Sequence, residues 1–147
     1  MASLPEVLTS DAKKAQVVED CLVLIDGEVA DKGGLSGMAI KAGYKAVQGI
    51  RPGFVKQVVH DLLPEFAKAL DPIFQEALGS GKPIGGYFEG NSARAADALL
   101  AITDGKAQRS KSGVVKATYD RLRGSAKKNV EHAVPRLGAL IAKHAAG

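Results

Sequence analysis

From Ala15 onward the apolar side chains recur at steps of three and four. Ala15, Val18, Leu22, Ile25 and Val29 form one stripe, which predicts a helix over about 11–30. Ser10 or Thr9 stands where a cap belongs, and Asp11 adds negative charge beside the orphan amides of the first turn. Asp26-Gly27 would ordinarily mark a turn, but the stripe continues through Val29 and Ala30. The expected end lies between Ile25 and Asp31, closed by Lys32-Gly33-Gly34. Ser36 opens a second predicted helix, with Met38, Ala42 and Val47 inward and Lys41 and Lys45 outward. Gly37 and Gly43 each cost this helix about 1 kcal/mol relative to alanine, a cost that fits a place where another helix passes close. Pro52 suits the start of a third helix carrying Phe54, Val58, Leu62, Leu63, Phe66 and Leu70. Pro64 predicts a kink or break, and Asp71-Pro72 a further helix start.

The glycine-rich segment 79–91 reads as a hinge. Asn91 or Ser92 then caps a helix with the stripe Ala95, Ala98, Leu99 and Ile102, and the polar stretch Gly105–Lys111 reads as a loop. From Ser112 the pattern is helical almost to the end, with Gly124, Pro135 and Gly138 as weak points. No segment sustains the period-two alternation of a half-buried strand. The expectation is an all-α bundle of about five to seven helices, forming one domain over 1–147.

The second half of the chain echoes the first. QVVEDCLVLIDG (16–27) matches RAADALLAITDG (94–105), SGMAIKAGYKAV (36–47) matches SGVVKATYDRL (112–122), and VVHDLLPEF (58–66) matches NVEHAVPRL (129–137). Three correspondences in one order predict a helical unit used twice: half one at about 10–78, a connector at 79–91 and half two at about 91–146. From Tyr44 to Pro64 is twenty residues and from Tyr119 to Pro135 sixteen, a difference of about one helical turn. Two helices of the first half can therefore correspond to one long helix in the second.

Composition bounds the chemistry. Tryptophan is absent, and four Phe and three Tyr are the only aromatics, so a thin, alanine-rich core with little room for a large enclosed pocket is expected. No wholly apolar run exceeds the five residues Cys21–Ile25, far below the roughly 20 of a membrane span. A secretory signal is not expected, and the single cysteine suits a reducing cytoplasm. Residues 1–105 hold 10 basic and 14 acidic side chains, whereas 106–147 hold 10 basic and 2 acidic.

Gly79-Ser80-Gly81-Lys82 lacks the rest of a phosphate loop: Glu76 and Pro83 occupy the positions of its first glycine and its Ser/Thr. His60, His132 and His144 lack zinc-site spacing and read as surface residues, and Cys21 as a buried thiol. Asp26 and Asp104, each before a glycine, form a candidate site with Tyr44 and Tyr119 at the axis relating the halves; carboxylates that approach there can share a proton or hold a cation. The simpler reading is that each carboxylate serves its own turn and each tyrosine packs between helices. Lys116, Arg121, Arg123, Lys127 and Lys128 are candidate phosphate-backbone contacts within the basic segment 106–128. No catalytic constellation, metal site or cofactor is expected.

The text LSGMAIKAGYKAV…IRPGFVKQVVHDLLPEFAKALDPIF resembles a small bacterial family of unknown function, over most of the chain. The resemblance implies a cytoplasmic bacterial protein and carries no activity. The functional expectation is a non-enzymatic structural or protein-interaction module that self-associates. The alternatives are non-specific nucleic-acid binding through 106–128 and carriage of a small apolar ligand between the halves.

Overall fold

The first helix begins before the periodic stripe does. In the computed structural model, which describes residues 2–146, Ser3 accepts a hydrogen bond from the Glu6 amide and Pro5 lies in the first turn of α1 (Leu4–Thr9). Asp71 Oδ1 takes the Leu4 amide at 2.8 Å, so the aspartate expected to start a helix instead completes the cap of another. Then follow α2 (Lys14–Asp31), α3 (Gly34–Gln48), α4 (Phe54–Ser80), α5 (Ile84–Glu89), α6 (Ser92–Arg109) and α7 (Gly113–Ala146). The described residues contain no strand, and the fold is all-α. Ser10 ends α1 and does not cap α2; Lys13 precedes α2 and supplies no side-chain hydrogen bond. Asp26-Gly27 lies inside α2.

Three expectations are corrected. α4 runs through Pro64 and Pro72, and α7 through Gly124, Pro135 and Gly138. All three prolines are exposed, so each carbonyl that loses its amide partner lies on the watered side of its helix. The segment 105–109 continues α6 because Ala107 is buried while Lys106 reaches Glu65 across the surface at 2.8 Å. The third correction concerns 79–91, which is no free hinge. α5 forms within it, Phe88 is fully buried, and Tyr87 donates to Glu76 at 2.9 Å. Arg94 adds two hydrogen bonds to the same carboxylate, tying α4, α5 and α6 together.

The apolar core is lopsided. Leu4 and Leu8 of α1, Val17 and Val18 of α2, Leu70, Ile73 and Phe74 of α4, Phe88 of α5 and Val134, Leu140 and Ile141 of α7 form one cluster. At the other end of the bundle α3 buries no apolar side chain among those described; its buried positions are Gly37 and Gly43. The expected register of α3 is corrected at Met38 and Ala42, which are exposed; Val47 turns inward as expected, and Ile40 with it. The reason is that Gly43 takes the contact with α7. A β-carbon there would lie 2.9 Å from Thr118 Cγ2 and 3.2 Å from Leu122 Cδ1. Gly138 plays the same part where α7 crosses α5, with the Gly85 carbonyl oxygen 3.1 Å from the corresponding point.

Candidate functional site: an apolar chamber beneath α3

Because α3 meets α7 at Gly43 and buries no apolar side chain of its own, a space remains under it. A chamber of about 430 Å³ opens between α2, α3, α6 and α7. Leu24, Ile25 and Val29 wall it from α2, Ile40 and Val47 from α3, Leu100 and Thr103 from α6, and Val115, Leu122, Ala126, Val130 and Ala133 from α7. Its only charged lining residues are Glu28 and Lys32. A neighbouring apolar cleft of about 390 Å³, walled by Phe54, Val58 and Leu62 of α4, shares Thr103, Val115 and Tyr119 with it. On the outer side of Tyr119 lies a polar recess of about 480 Å³ lined by Asp104, Gln108, Lys116, Asp120 and Arg123. The thin-core expectation thus meets the structure as open clefts at one end of a well-packed body.

The candidate tyrosines and aspartates form two separate pairs. Tyr44 donates to Asp26 Oδ1 at 2.6 Å, and Tyr119 donates to Asp104 Oδ1. Asp26 and Asp104 share no hydrogen-bond partner among the described residues. Arg123 grips both oxygens of Asp104, at 2.8 and 3.1 Å, and with Tyr119 holds its carboxyl below the usual range. Burial, reinforced by the neighbouring Asp26, pushes Tyr44 up to about 12; burial and Asp104 raise Tyr119 as well. Both phenols therefore stay neutral donors at ordinary pH. Tyr119's one proton lies on Asp104, so Thr103 Oγ1, 2.7 Å away, is the donor of that pair.

Two polar clusters were not legible as such in the sequence. Glu28 is buried, with His132 Nδ1 at 3.0 Å, Arg136 on its other oxygen and Lys32 at 3.5 Å; Arg136 also reaches Asp31. Burial raises the Glu28 pKa, but His132, Lys32 and Arg136 more than offset it and leave the carboxyl below the usual range. At the packed end His144 is buried, 2.7 Å from Asp20, which corrects its reading as a surface histidine. Lys143 lies 2.9 Å from the same oxygen. Cys21 is partly buried, and burial with the adjacent Asp20 raises its thiol to about 11. A signal for Glu28 existed: it is a carboxylate one residue from Val29 on the apolar stripe.

The basic segment lies only in part against the chain's own acidic side chains. Arg123 pairs with Asp104 and Lys127 with Asp97 at 3.1 Å, while Lys116, Arg121 and Lys128 are exposed. No group of three or more His, Cys, Asp or Glu side chains among the described residues is arranged to hold a metal ion. No described helix is long and apolar enough to cross a membrane. The chain belongs to the family of unknown function DUF6918, whose profile matches residues 4–145. No curated protein and no solved structure matches it.

Proposed function

We propose that the protein is a non-enzymatic binder of a small apolar ligand held between two related halves. The observation that carries this reading is the chamber of about 430 Å³ walled by α2 and α3 on one side and α6 and α7 on the other. That volume falls within the range of ligand pockets, about 300–1,000 Å³. Apolar surface left open to water is costly, and a ligand that covers it gains about 25 cal/mol per Å² of apolar area.

The duplication has its own support. Adding 78 to the bounds of α2, 14 and 31, gives 92 and 109, the bounds of α6. Both helices close alike, with the Lys32 amide on the Val29 carbonyl at 3.3 Å and the Ser110 amide on the Ala107 carbonyl at 3.2 Å. The Asp26–Tyr44 and Asp104–Tyr119 pairs add a matching side-chain contact in each half.

The test is titration with the neutral fluorophore N-phenyl-1-naphthylamine, with native mass spectrometry of gently purified protein beside it. Saturable fluorescence enhancement that Ala133→Phe abolishes without lowering the melting temperature is the expected result. No enhancement and no co-purified small molecule sinks the reading.

Self-association in the cytoplasm is the second reading, and it rests on Leu35 and Met38 of α3, which are 86% and 67% exposed. Sedimentation across concentration and salt tests it; a strict monomer at high micromolar concentration refutes it. Duplex binding through 106–128 has less support, because Lys106, Arg123 and Lys127 already pair with Glu65, Asp104 and Asp97.

A further inference from the structure

α3 carries two apolar faces, and the bundle covers only one. Ile40 and Val47 turn toward the chamber, and Gly43 meets α7. On the other side Leu35, Met38, Ala42 and Ala46 recur at steps of three and four. All four are exposed, Leu35 at 86% and Met38 at 67%. Large apolar side chains grouped in the open mark an interaction surface.

The charge around this stripe has one sign. Lys41 and Lys45 border it along one edge, a helical turn apart. Residues 32–60 contain five Lys or Arg and no Asp or Glu. Lys41, Lys45 and Arg51 are exposed and make no ion pair among the described residues. Where α7 runs beside α3, Val114, Ala117 and Arg121 are exposed too, and 105–119 holds no carboxylate. An apolar stripe edged by free cations complements a bilayer surface, apolar beneath and anionic at its head groups.

We propose that the outer face of α3 docks on an anionic lipid surface, with Leu35 and Met38 entering the head-group layer and Lys41, Lys45 and Arg51 on lipid phosphates. This goes beyond the apolar-ligand reading and does not depend on it. The self-association reading draws on the same two side chains, and area and charge separate the two occupants. A helix of 15 residues offers a face about 22 Å long and 10 Å wide, well short of the roughly 800 Å² per partner that a stable dimer buries. A second copy would also have to bring carboxylates, and Glu19, Asp31, Glu65 and Asp97 already pair with the chain's own cations. Nucleic acid would satisfy the cations and leave the stripe in water. A lipid surface takes both, and each cation close to it strengthens binding about fivefold.

The deciding experiment is flotation of the full chain with vesicles of phosphatidylcholine alone and of phosphatidylcholine and phosphatidylglycerol in equal parts. Wild type partitions about a hundredfold more strongly onto the mixed vesicles. Lys41→Gln with Lys45→Gln lowers that binding about thirtyfold, and Leu35→Ser with Met38→Ser about tenfold or more. Lys68→Gln with Lys82→Gln, which removes equal charge farther along α4, stays within about twofold of wild type. All these side chains are exposed, so the melting temperature should not move. Equal binding to both vesicles, binding to neither, or a control pair as damaging as the α3 lysines overturns the proposal. Loss with the lysine pair but not with Leu35→Ser and Met38→Ser assigns the face to polyanions such as duplex DNA and overturns it. A lipid-free dimer that Leu35→Ser with Met38→Ser abolishes assigns the face to a second copy and overturns it as well.

Discussion

Replacing Gly43 by alanine tests the contact that holds α3 in place. The added β-carbon would sit 2.9 Å from Thr118 Cγ2, closer than such atoms approach, and 3.2 Å from Leu122 Cδ1, which would have to give way slightly. Overpacking of this kind costs about 1–3 kcal/mol, while alanine returns about 1 kcal/mol through its higher helix propensity. The net effect of Gly43→Ala is therefore a loss of about 0–2 kcal/mol. Gly124→Ala isolates the propensity component, because no atom lies within 4 Å of its added carbon. That variant should gain about 1 kcal/mol. The difference between the two variants is the contact cost alone, about 1–3 kcal/mol. In a domain of this size it separates the melting midpoints by roughly 2–12 °C. Thermal and urea unfolding of both variants, with unchanged denaturant slopes, provide the measurement. Thr118 and Leu122 also wall the chamber, so their displacement into it weakens fluorophore binding by Gly43→Ala and not by Gly124→Ala. If the two variants are stabilised equally, α3 does not lie against α7 as described and the chamber loses its roof.

At Gly138 the obstructing atoms are largely backbone, with the Gly85 carbonyl oxygen and Cα at 3.1 and 3.2 Å, so Gly138→Ala should cost about 1–2 kcal/mol net of alanine's helix propensity by urea unfolding. Phe88→Ala empties a fully buried site in the glycine-rich segment and should cost about 3–5 kcal/mol; near-neutrality would mean that 79–91 is a free connector after all. Chiefly through its hydrogen bond to Lys143, which with His144 and Gln16 overcomes the opposing effect of burial, Asp20 is held at about 2 against an ordinary 3.8. Its stabilisation is complete above that ordinary value and disappears as pH falls through about 2, so Asp20→Asn should flatten the acid limb of a stability–pH curve. Tyr44 has the opposite sign: its contribution is complete below pH 10.0 and is lost as pH rises through about 12, which absorbance titration of Tyr44→Phe against wild type detects.

Much of the helical content was legible in the sequence, because periodicity reports which side of a segment avoids water. The stripe from Ala15 to Val29 gives α2 within a few residues of its bounds, even across Asp26-Gly27. What sequence reasoning missed follows from physics that acts across the fold. Pro64, Pro72 and Pro135 remain in helices because their orphaned carbonyls face solvent, and which face that is depends on tertiary packing. α1 and α5 are six residues each, too short for a period to register, yet Leu4 and Phe88 are wholly buried. The inward face of α3 was misassigned at Met38 and Ala42, which are exposed, whereas Val47 and the close helix approach at Gly43 were readable. For the candidate site, the Asp and Tyr positions were readable as residues to watch, and the structure joins Tyr44 to Asp26 and Tyr119 to Asp104 and not the two aspartates to each other. Lys32 was read only as the end of a helix, since nothing local reveals that its ammonium is left with one distant acceptor.

The uneven core also divides the molecule by the free energy of opening. Amide exchange reports the cheapest fluctuation that exposes each backbone hydrogen, and regions with few buried apolar contacts open well below the global unfolding energy. α3 contributes no buried apolar side chain, whereas α4, α5 and α7 share Phe74, Phe88 and Ile141. Amides of 38–48 should therefore exchange by a local excursion, at rates insensitive to low denaturant, while those around Phe74 and Ile141 exchange only through cooperative unfolding. Such an excursion widens a cleft that already opens to solvent, at the cost of lifting one helix and without unmaking the body that carries it.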